Sequence, residues 1–596
     1  MVSSKITRLV IDLDNPTLSK ENPAMRNTWR TQLAFLIATA ITASATAAET
    51  GALKGTVVDR SGKGLRGAIV SAINEDQQKS ISVLTDSQGR FILDQLPPEL
   101  YTVRARVIGF EDNFSEELEV AAGDASKSLK LTMQPAKDRL TQRTGASLFG
   151  MLKIEDEEQR MSFKMSCTYC HQVGTLGFRT PEEPVDWQVM ITRMDGFGAL
   201  HSELKKTIVK KLVDTYAEDA PKKWAKWTPP EAPKGKALAL RVIEWDMGYK
   251  RQTMIHDLEL GHDGLIYAVD MANDTLVSLD PKSGQRREYR VPGGKEPNSD
   301  EPMTQGPHSL ECDADGNIWI TCAIGGKMAK FDVKTEKWLV VSSAPDPARR
   351  GVYPHTLRVD KKGVVWYTDA GRGVYSLDPN HDNVRKFYKL PDEDQAVGEG
   401  IGESRGRTPY GIDVAPNGHI WYTKLNGNRV GRIKPEVPDG DIKEWNPPFR
   451  GPRRLQVDAD GMVWVPGCGS GVFAKFDPET EQWKVYDLPD KENQFPYALN
   501  VHPQTGDIWI CGTTNDSMFR FIPKTEELIE YPMPSRVTYT REIEFGEDGS
   551  VWVCNSNWPN RHTERRLGSI IRITLDGTVD EATDESRAVA AANSGN

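Results

Sequence analysis

The sequence of 596 residues is poor in cysteine and has no hydrophobic run long enough to span a membrane. Its seven cysteines are too few to stabilise a chain of this size through disulfide bonds. A net charge of −10 argues against nucleic-acid binding as the main function. The composition also excludes a collagen, a coiled coil and a polytopic membrane protein. The 50 Gly, 37 Pro and 15 Trp that it does contain favour β structure with many turns.

One short apolar run near the N-terminus predicts export. Residues 33–45 follow a basic lead that begins at Met25, the expected start of translation, and they end in the small residues 45–47. A run of this length cannot cross a hydrocarbon core of about 30 Å. We therefore expect residues 1–48 to be an N-terminal extension with a signal peptide, and the mature chain to be periplasmic. An uncleaved anchor is the alternative.

Residues 49–135 alternate in short runs separated by turn signals, and this pattern predicts a small β-sandwich. The Gly55-x-Val57-x-Asp59 pattern, followed by Thr85-Asp-Ser-Gln-Gly-Arg-Phe91, resembles the carboxypeptidase regulatory-like domain. This resemblance implies a spacer or docking module without catalytic residues. A glycan contact is the alternative, because the family shares its sandwich with some carbohydrate-binding modules.

Residues 145–225 change to helical spacing and contain the strongest local motif. Cys167 and Cys170 are spaced so that both thiols can bond to haem vinyl groups, and the adjacent His171 is then placed as an axial iron ligand. A redox-active thiol pair or half of a zinc site are the alternatives, but no second Cys pair lies nearby. The segment resembles a small all-α mono-haem cytochrome c domain, with one covalent haem c as cofactor.

The sixth iron ligand is less well defined by the sequence. Met194 resembles the position that carries methionine in small cytochromes of this kind, and we expect it to bind the haem iron. Met190 and His201 compete for this role. Trp187, Met190, Ile191 and Met194 also lie on one helical face, so core packing is an alternative role for the methionines.

From residue 238 to residue 576 the chain repeats. Seven turn glycines, 43 to 55 residues apart, are each followed three residues later by Tyr or Trp: Gly264, Gly316, Gly363, Gly418, Gly461, Gly506 and Gly549. About four short strands per repeat predict a seven-bladed β-propeller. The seventh repeat lacks a last strand, and we expect residues 241–245 to supply it and close the ring. Residues 577–596 have the composition of a disordered tail.

The repeats resemble the virginiamycin B (streptogramin) lyase-like family, in segments such as Thr408-Pro-Tyr-Gly-Ile412 and Gly427-Asn-Arg-Val-Gly-Arg-Ile433. The resemblance implies a lyase that opens a cyclic depsipeptide ester with a His, Glu residues and Mg²⁺. Blades of the family commonly contain Trp-x-Thr-Glu. Other residues hold the Glu position here, which argues against lyase chemistry: Asp270, Cys322, Asp369, Lys424, Gly467, Gly512 and Asn555.

Equivalent positions at the start of each innermost strand predict a ring around the central channel. These positions hold polar, aromatic or basic residues: His256, His308, His355, Tyr410, Arg453, Tyr497 and Arg541. Three convergent imidazoles would suit an additional Fe, Cu or Zn ion, or a general base with electrophilic partners. The two Arg would bind an anionic substrate group. Hydrogen bonds from the His side chains to the backbone are the alternative.

The remaining cysteines are scattered through the repeats. Cys511 and Cys554 occupy matching places in neighbouring blades, where a disulfide is one interpretation and buried free thiols are the other.

Together these patterns favour a multidomain, mainly β redox protein that is exported to the periplasm. In this hypothesis the propeller binds and oxidises a small molecule, and electrons pass through haem c to an external partner such as a soluble cytochrome. A lyase or hydrolase with an accessory haem is one alternative. A non-enzymatic electron-transfer or binding scaffold is the other.

Overall fold

The structure is a computed structural model, and it describes most of the chain from residue 50 to residue 577. The described ranges are 50–123, 127–175, 187–192, 202–216, 224, 227–248, 253–295, 302–343, 353–369, 373–391, 409–556 and 568–577. The predicted signal peptide, the ligand candidates Met194 and His201, and residues 578–596 lie outside these ranges. The described part is mainly β and multidomain, as predicted. No helix within it is long and apolar enough to cross a membrane.

The N-terminal domain is a two-layer β structure with a continuous apolar core. Its seven strands are β1 Gly51–Val58, β2 Ile69–Asn74, β3 Lys79–Leu84, β4 Arg90–Leu96, β5 Leu100–Arg106, β6 Asn113–Glu119 and β7 Lys127–Thr132. One layer has the order β4-β1-β7 and the other contains β3-β2-β5-β6. Val57, Val70 and Val103 are fully buried between the layers.

A small helical unit follows the sandwich. Its helices are α1 Gly145–Phe149, α2 Glu157–Cys167, α3 over 187–192 and α4 Ser202–Tyr216. Trp187 and Ile191 of α3 pack with Ile208 and Leu212 of α4 in one core, as their helical spacing predicts. Of the two other predicted members of this stripe, Met190 is only partly buried and Met194 lies outside the described residues. A 3-10 turn, Gly235–Ala239, leads to strand β8, Arg241–Asp246.

The C-terminal part forms seven four-stranded antiparallel blades around a channel. Blades 1 to 3 comprise β9 Ile255–Leu260, β10 Ile266–Asp270, β11 Thr275–Leu279, β12 Arg286–Arg290; β13 Pro307–Cys312, β14 Ile318–Cys322, β15 Lys327–Asp332, β16 Lys337–Ser342; β17 Pro354–Val359, β18 Val365–Asp369, β19 Gly373–Asp378 and β20 Val384–Lys389. Blades 4 to 6 comprise β21 Pro409–Val414, β22 Ile420–Lys424, β23 Arg429–Ile433, β24 Lys443–Trp445; β25 Gln456–Val457, β26 Val463–Gly467, β27 Val472–Asp477, β28 Gln482–Asp487; β29 Leu499–Val501, β30 Ile508–Gly512, β31 Ser517–Ile522 and β32 Glu527–Pro532.

Blade 7 contains β33 Thr540–Phe545, β34 Val551–Asn555 and β35 Ser569–Thr574, and β8 is its fourth strand. β8 pairs antiparallel with β35 along its whole length, so the expected ring closure is confirmed. Each innermost strand contacts the next, and β33 contacts β9. The other edge of β8 pairs with β3, which joins blade 7 and the sandwich in one eight-stranded sheet. The sequence analysis did not predict this junction.

The repeated turn glycines have a conformational reason. All seven have φ between +72° and +84°, a region that glycine enters without strain. The preceding aspartates stabilise the same turns: in blade 3, Asp360 Oδ1 accepts from the backbone N–H groups of Lys362 and Val364, and Oδ2 accepts from Trp366 Nε1. The Asp, Gly and Trp of one repeat therefore fix a single hairpin.

Threonines of the second strands join neighbouring blades beside the channel. The Thr368 hydroxyl donates to the backbone carbonyl of Tyr410 in the next blade at 2.9 Å, and its oxygen accepts from the backbone N–H of Thr356 at 3.2 Å. Thr321 and Thr423 make equivalent bonds to the blades that follow them. These contacts set the relative positions of the strands that line the channel.

Candidate functional site: a charged channel beneath the Cys-x-x-Cys-His segment

The innermost strands place polar residues at three levels of the channel. The upper ring consists of the seven predicted positions, which are at most 4% exposed: His256, His308, His355, Tyr410, Arg453, Tyr497 and Arg541. The middle level contains Asp257, Arg454 and Glu542. The lower ring lies three residues after the upper ring in each blade and contains Glu259, Glu311, Arg358, Asp413, Gln456, Asn500 and Glu544.

In the first half of the upper ring the aromatic side chains stack on one another. The ring centroids of His256 and His308 are 3.8 Å apart, those of His308 and His355 4.1 Å, and those of His355 and Tyr410 4.1 Å. The sequence analysis expected three imidazoles that converge on one point. Each side chain instead lies against its neighbour in the next blade, because the strand starts follow the circumference of the ring.

Burial lowers the pKa of all three histidines well below its ordinary range, and the nearby arginines add to this effect. The imidazoles are therefore neutral at neutral pH. His256 Nδ1 lies 2.9 Å from Asp257 Oδ1, and His355 Nδ1 lies 2.8 Å from Thr356 Oγ1. The Nδ1 atom of buried His308 has no hydrogen-bond partner among the described residues.

The donor atoms of His256, His308 and Asp257 lie within 4.8 Å of one another, a set that would suit Fe or Zn. His355, which was predicted as the third ligand, is not part of this group. Both oxygens of Asp257 already accept from Arg454, at 3.0 and 2.8 Å. Since further arginines lie close by, the local charge favours an anion over a divalent cation. A metal ion at the three histidines stays a prediction.

The second half of the upper ring is a network of tyrosine and arginine. The hydroxyl oxygens of Tyr410 and Tyr497 are 2.8 Å apart. Arg453 donates to Tyr410 Oη from Nη2 at 2.8 Å and from Nε at 3.2 Å, and its guanidinium carbon lies 3.5 Å from the Tyr497 ring centroid. Arg541 donates to Tyr497 Oη at 3.1 Å and to Ser556 Oγ.

The middle level contains a fully buried ion network. Arg454 donates to both oxygens of Asp257 and also to a carboxylate oxygen of Glu542. A buried guanidinium of this kind is stable only when it is paired and hydrogen-bonded. The network also links the first, fifth and seventh blades across the channel.

The lower ring is rich in carboxylates. Burial raises the pKa of Glu259 to about 7, that of Glu311 to about 8 and that of Asp413 to about 6, although Arg358 opposes the shift in each case. Arg358 lies 3.8 Å from Glu311, 3.6 Å from Asp413 and 3.3 Å from Glu542. The two ends of the channel therefore differ in charge.

The Cys-x-x-Cys-His segment covers the upper ring. Tyr539 donates to the Thr168 carbonyl at 2.5 Å, and Arg541 donates to the Cys170 carbonyl at 3.0 Å. The Tyr169 ring lies edge-on to Tyr410 at 6.1 Å, and the Arg453 guanidinium lies 4.6 Å from its centroid. We name Thr168–Gln172 the cap.

Gln172 fixes the end of the cap on blades 6 and 7. Its side-chain NH₂ group donates to Asp516 Oδ1 at 2.7 Å and to the carbonyls of Thr513 and Thr538 at 3.3 and 2.7 Å. Its side-chain oxygen accepts from the backbone N–H of Gly145 at 3.0 Å. The cap is therefore attached to both the helical unit and the propeller.

The motif contains the residue types that covalent attachment of haem c requires, two cysteine thiols and an adjacent histidine. Cys167 is the last residue of α2, and both Cys167 and Cys170 are free thiols. His171 Nδ1 lies 2.8 Å from the Gln172 carbonyl, a contact that favours the proton on Nδ1. The predicted sixth ligand, Met194, lies outside the described residues. Cys511 and Cys554 are free and buried, so the suggested disulfide between them is absent.

The positions that carry Glu in lyase-like blades have structural roles here. Asp270 accepts from the backbone N–H of Met254 at 2.9 Å, Asp369 from that of Tyr353 at 2.9 Å and Asn555 from that of Tyr539 at 2.8 Å. The donor lies two residues before the ring residue in each blade. These side chains therefore position the upper ring.

Comparison with known proteins identifies two regions. Residues 52–134 match the carboxypeptidase regulatory-like domain, and residues 397–589 match the virginiamycin B lyase family. Two of the three predicted resemblances are thus confirmed, the virginiamycin B lyase-like one over a shorter range than expected, which excludes the three ring histidines. The resemblance of residues 145–225 to a cytochrome c domain stays a prediction. No protein with a curated description matches the chain.

Similar solved structures include a streptogramin B lyase, with 20% identity, 56% of this chain and 97% of that chain covered, and a TM-score of 0.46. Another is the virginiamycin B lyase of Staphylococcus aureus, with 17% identity, 56% and 99% coverage, and a TM-score of 0.45. The assignment of the propeller here depends on its own strand pairing and ring closure.

The sequence analysis missed the residues that surround the upper ring. Asp257, Arg454 and Glu542 directly follow predicted ring positions, so the same repeat alignment could have identified them. Tyr169 and Gln172 lie in another domain, and no sequence signal linked them to the propeller.

Proposed function

We propose that the chain is an exported redox protein in which the Cys-x-x-Cys-His segment carries haem c and the upper ring binds the reducing substrate. The observation that supports this proposal most directly is the position of the cap on the ring. A haem bonded to Cys167 and Cys170 would supply one-electron transfer. Upper-ring residues contact the segment that would carry the haem, and they also form the proposed substrate site. The haem and the substrate would therefore be close together.

The local architecture supports haem attachment. Helix α2 ends at Cys167, and α2 and α4 contact each other. Trp187 and Tyr216 stack in the same core with ring centroids 6.5 Å apart. In this interpretation the thiols of Cys167 and Cys170 would hold the haem through thioether bonds, and His171 would be a ligand of its iron.

The upper ring suits a small anionic substrate. Arg453 and Arg541 are buried and basic, and the neutral imidazoles of His308 and His355 offer polar contacts to a ligand. The ring side chains are almost inaccessible beneath the cap, so a ligand would reach them by displacing cap residues. The external electron partner, for example a soluble cytochrome, would receive the electrons.

The first test is the iron content and haem spectrum of protein matured in a periplasm that attaches haem c. One covalent haem per chain is expected, and Cys167→Ala with Cys170→Ala should abolish attachment. Absence of iron from the wild-type protein would refute the haem assignment. An additional iron or copper ion would reopen the metal assignment of the ring.

The second test is reduction of the ferric haem by small hydroxy-carboxylate and phenolic compounds. A change of His256, His308 and His355 to Ala should stop reduction by the active compound and leave the haem spectrum unchanged. Gln504→Ala, at a turn outside the channel, is the matched control. If the triple variant is reduced at the wild-type rate, the ring is not the substrate site.

A lyase is the second candidate, because residues 397–589 match a lyase family. It predicts turnover of a cyclic ester without an electron acceptor and loss of that turnover in His308→Ala. The structural roles of Asp270, Asp369 and Asn555 argue against it.

A further inference from the structure

The hydrogen bonds around Tyr497 define its protonation state. Arg453 donates to the oxygen of Tyr410 from two nitrogens. The hydroxyl hydrogen of Tyr410 is left to donate, and its oxygen lies 2.8 Å from Tyr497 Oη. Arg541 Nη1 donates to the same oxygen at 3.1 Å.

Tyr497 Oη is thus surrounded by donors. Its side chain is fully buried, and among the described residues its oxygen hydrogen-bonds to the Tyr410 hydroxyl and the Arg541 guanidinium, neither of which is a carboxylate or a carbonyl. A phenolate that accepts both of these hydrogen bonds is satisfied at this position.

The charge balance leads to the same result. Arg454 is neutralised by Asp257 and Glu542. Arg453 and Arg541 are equally buried, but neither forms an ion pair with a carboxylate in the described part of the chain. Uncompensated buried guanidinium groups are strongly unfavourable, so a negative charge is expected beside them.

We propose that Tyr497 is a phenolate at neutral pH and that it is the proton-accepting group of the upper ring. A ligand hydroxyl that reaches Tyr497 would transfer its proton to Oη. The O–H bond of the ligand would break, the Tyr497 O–H bond would form, and the resulting ligand oxyanion would lie beside Arg541 and Arg453. This role rests on the proposed substrate site, whereas the phenolate itself does not.

The titratable and charged groups that face Tyr497 come from the propeller and the cap: Arg453, Arg454, Arg541, Tyr410, Tyr539, Tyr169 and Asp257. Burial alone would raise the pKa of Tyr497, but Arg541, Arg453 and Arg454 outweigh burial and lower the pKa below its ordinary value. Burial raises the pKa of Tyr410 well above that value. The two hydroxyls therefore have unequal roles.

The experiment is a near-ultraviolet difference titration of the full-length protein. Wild-type protein and Tyr497→Phe are compared at equal haem absorbance from about pH 6 to about pH 10. The upper limit is the ordinary pKa of tyrosine. The difference spectrum at neutral pH should show one tyrosinate. Arg541→Gln should replace it with a neutral phenol that ionises only at higher pH. Tyr267→Phe is the control, because Tyr267 donates to Asp263 and its pKa is raised.

If the difference between the wild-type and Tyr497→Phe spectra is that of a neutral phenol across this pH range, the proposal is wrong. Equal unfolding midpoints for wild-type and Tyr497→Phe would show that the variant is folded. The Cys167→Ala, Cys170→Ala protein should retain the tyrosinate band, so failure of haem attachment and absence of the phenolate are distinguishable. With an active substrate, Tyr497→Phe should slow haem reduction about 100-fold or more.

Discussion

The upper and lower rings occupy equivalent places in the seven repeats, in the innermost strands or directly before them, yet they have opposite chemical character. The upper ring combines His, Tyr and Arg beneath the cap, whereas the lower ring contains the carboxylates of Glu259, Glu311, Asp413 and Glu544. Three residues along each strand separate the two. The repeated fold therefore supplies positions, and the residue chosen in each blade determines the local charge.

The middle level separates these two ends of the channel. Arg454 is paired with Asp257 and Glu542, whereas its sequence neighbour Arg453 donates to the Tyr410 hydroxyl, lies against the Tyr497 ring and forms no ion pair with a carboxylate among the described residues. The contrast shows how two adjacent arginines acquire different functions. The paired one stabilises the channel, and the unpaired one leaves positive charge for a phenolate or a bound anion.

The largest expected effect on stability comes from disrupting the ion network of the middle level. Arg454→Met would leave Asp257 buried without its arginine partner and Glu542 with Arg358 alone. We expect a loss of about 3–5 kcal/mol in the free energy of unfolding. Denaturant titration monitored by Trp fluorescence measures this loss. Arg66→Met, which breaks an exposed pair with Glu231, should leave the transition unchanged. An equally small effect for Arg454→Met would show that the network does not stabilise the channel.

The two rings should also respond oppositely to pH. The pKa of His308 is lowered from 6.5, so the unfolded chain binds more protons and stability decreases as pH falls below about 6.5. The pKa of Glu311 is raised from 4.5 to about 8, so the folded chain binds more protons and stability decreases as pH rises through that window.

Glu311→Gln sharpens this comparison. The variant should lose less unfolding free energy than the wild type between about pH 5 and pH 8. The difference is about 1.4 kcal/mol for each unit by which folding raises the pKa of Glu311. Unfolding midpoints measured across this range provide the test, and Glu336→Gln on an exposed turn is the control. If the Glu311→Gln profile parallels that of the wild type, Glu311 is ionised without penalty and the lower ring is hydrated.

The contrast between the rings also shows what the sequence could predict. The turn glycines, the Trp that follows them and the missing seventh-blade strand predicted the propeller, because each repeat must satisfy the same hairpin geometry. Alignment of the repeats likewise brought His256 through Arg541 to one level.

The sequence did not predict how those side chains interact. Stacking of the histidines depends on side-chain direction along the ring, and the pairing of Arg454 depends on residues from the first and seventh blades. The cap joins residues more than 300 positions apart, as in the contact between Gln172 and Asp516. Such contacts depend on domain packing, which leaves no local periodicity.

A smaller effect is expected from loosening the cap over the upper ring. Gln172→Ala removes three hydrogen bonds to blades 6 and 7 and leaves Asp516 with fewer donors. Hydrogen exchange of residues 165–175, measured by mass spectrometry, should accelerate about tenfold or more, the equivalent of about 1.4 kcal/mol. Gln159→Ala, on the exposed face of α2, should not alter it. Unchanged exchange in Gln172→Ala would mean that haem or Tyr169 holds the cap instead.

The smallest effect concerns the threonine hydrogen bonds between neighbouring blades. These bonds hold the upper-ring residues at one level. Thr368→Val keeps the side-chain shape but removes the bonds to Tyr410 O and Thr356 N. We expect a loss of about 1–2 kcal/mol in unfolding free energy, because two buried backbone groups lose a partner. Thr525→Val in an exposed turn is the matched control. The change should also weaken the Tyr497 tyrosinate signal, since Tyr410 is hydrogen-bonded to that oxygen. Loss of stability with an unaltered tyrosinate band would show that the Thr368 hydrogen bonds stabilise the fold but do not position the upper ring.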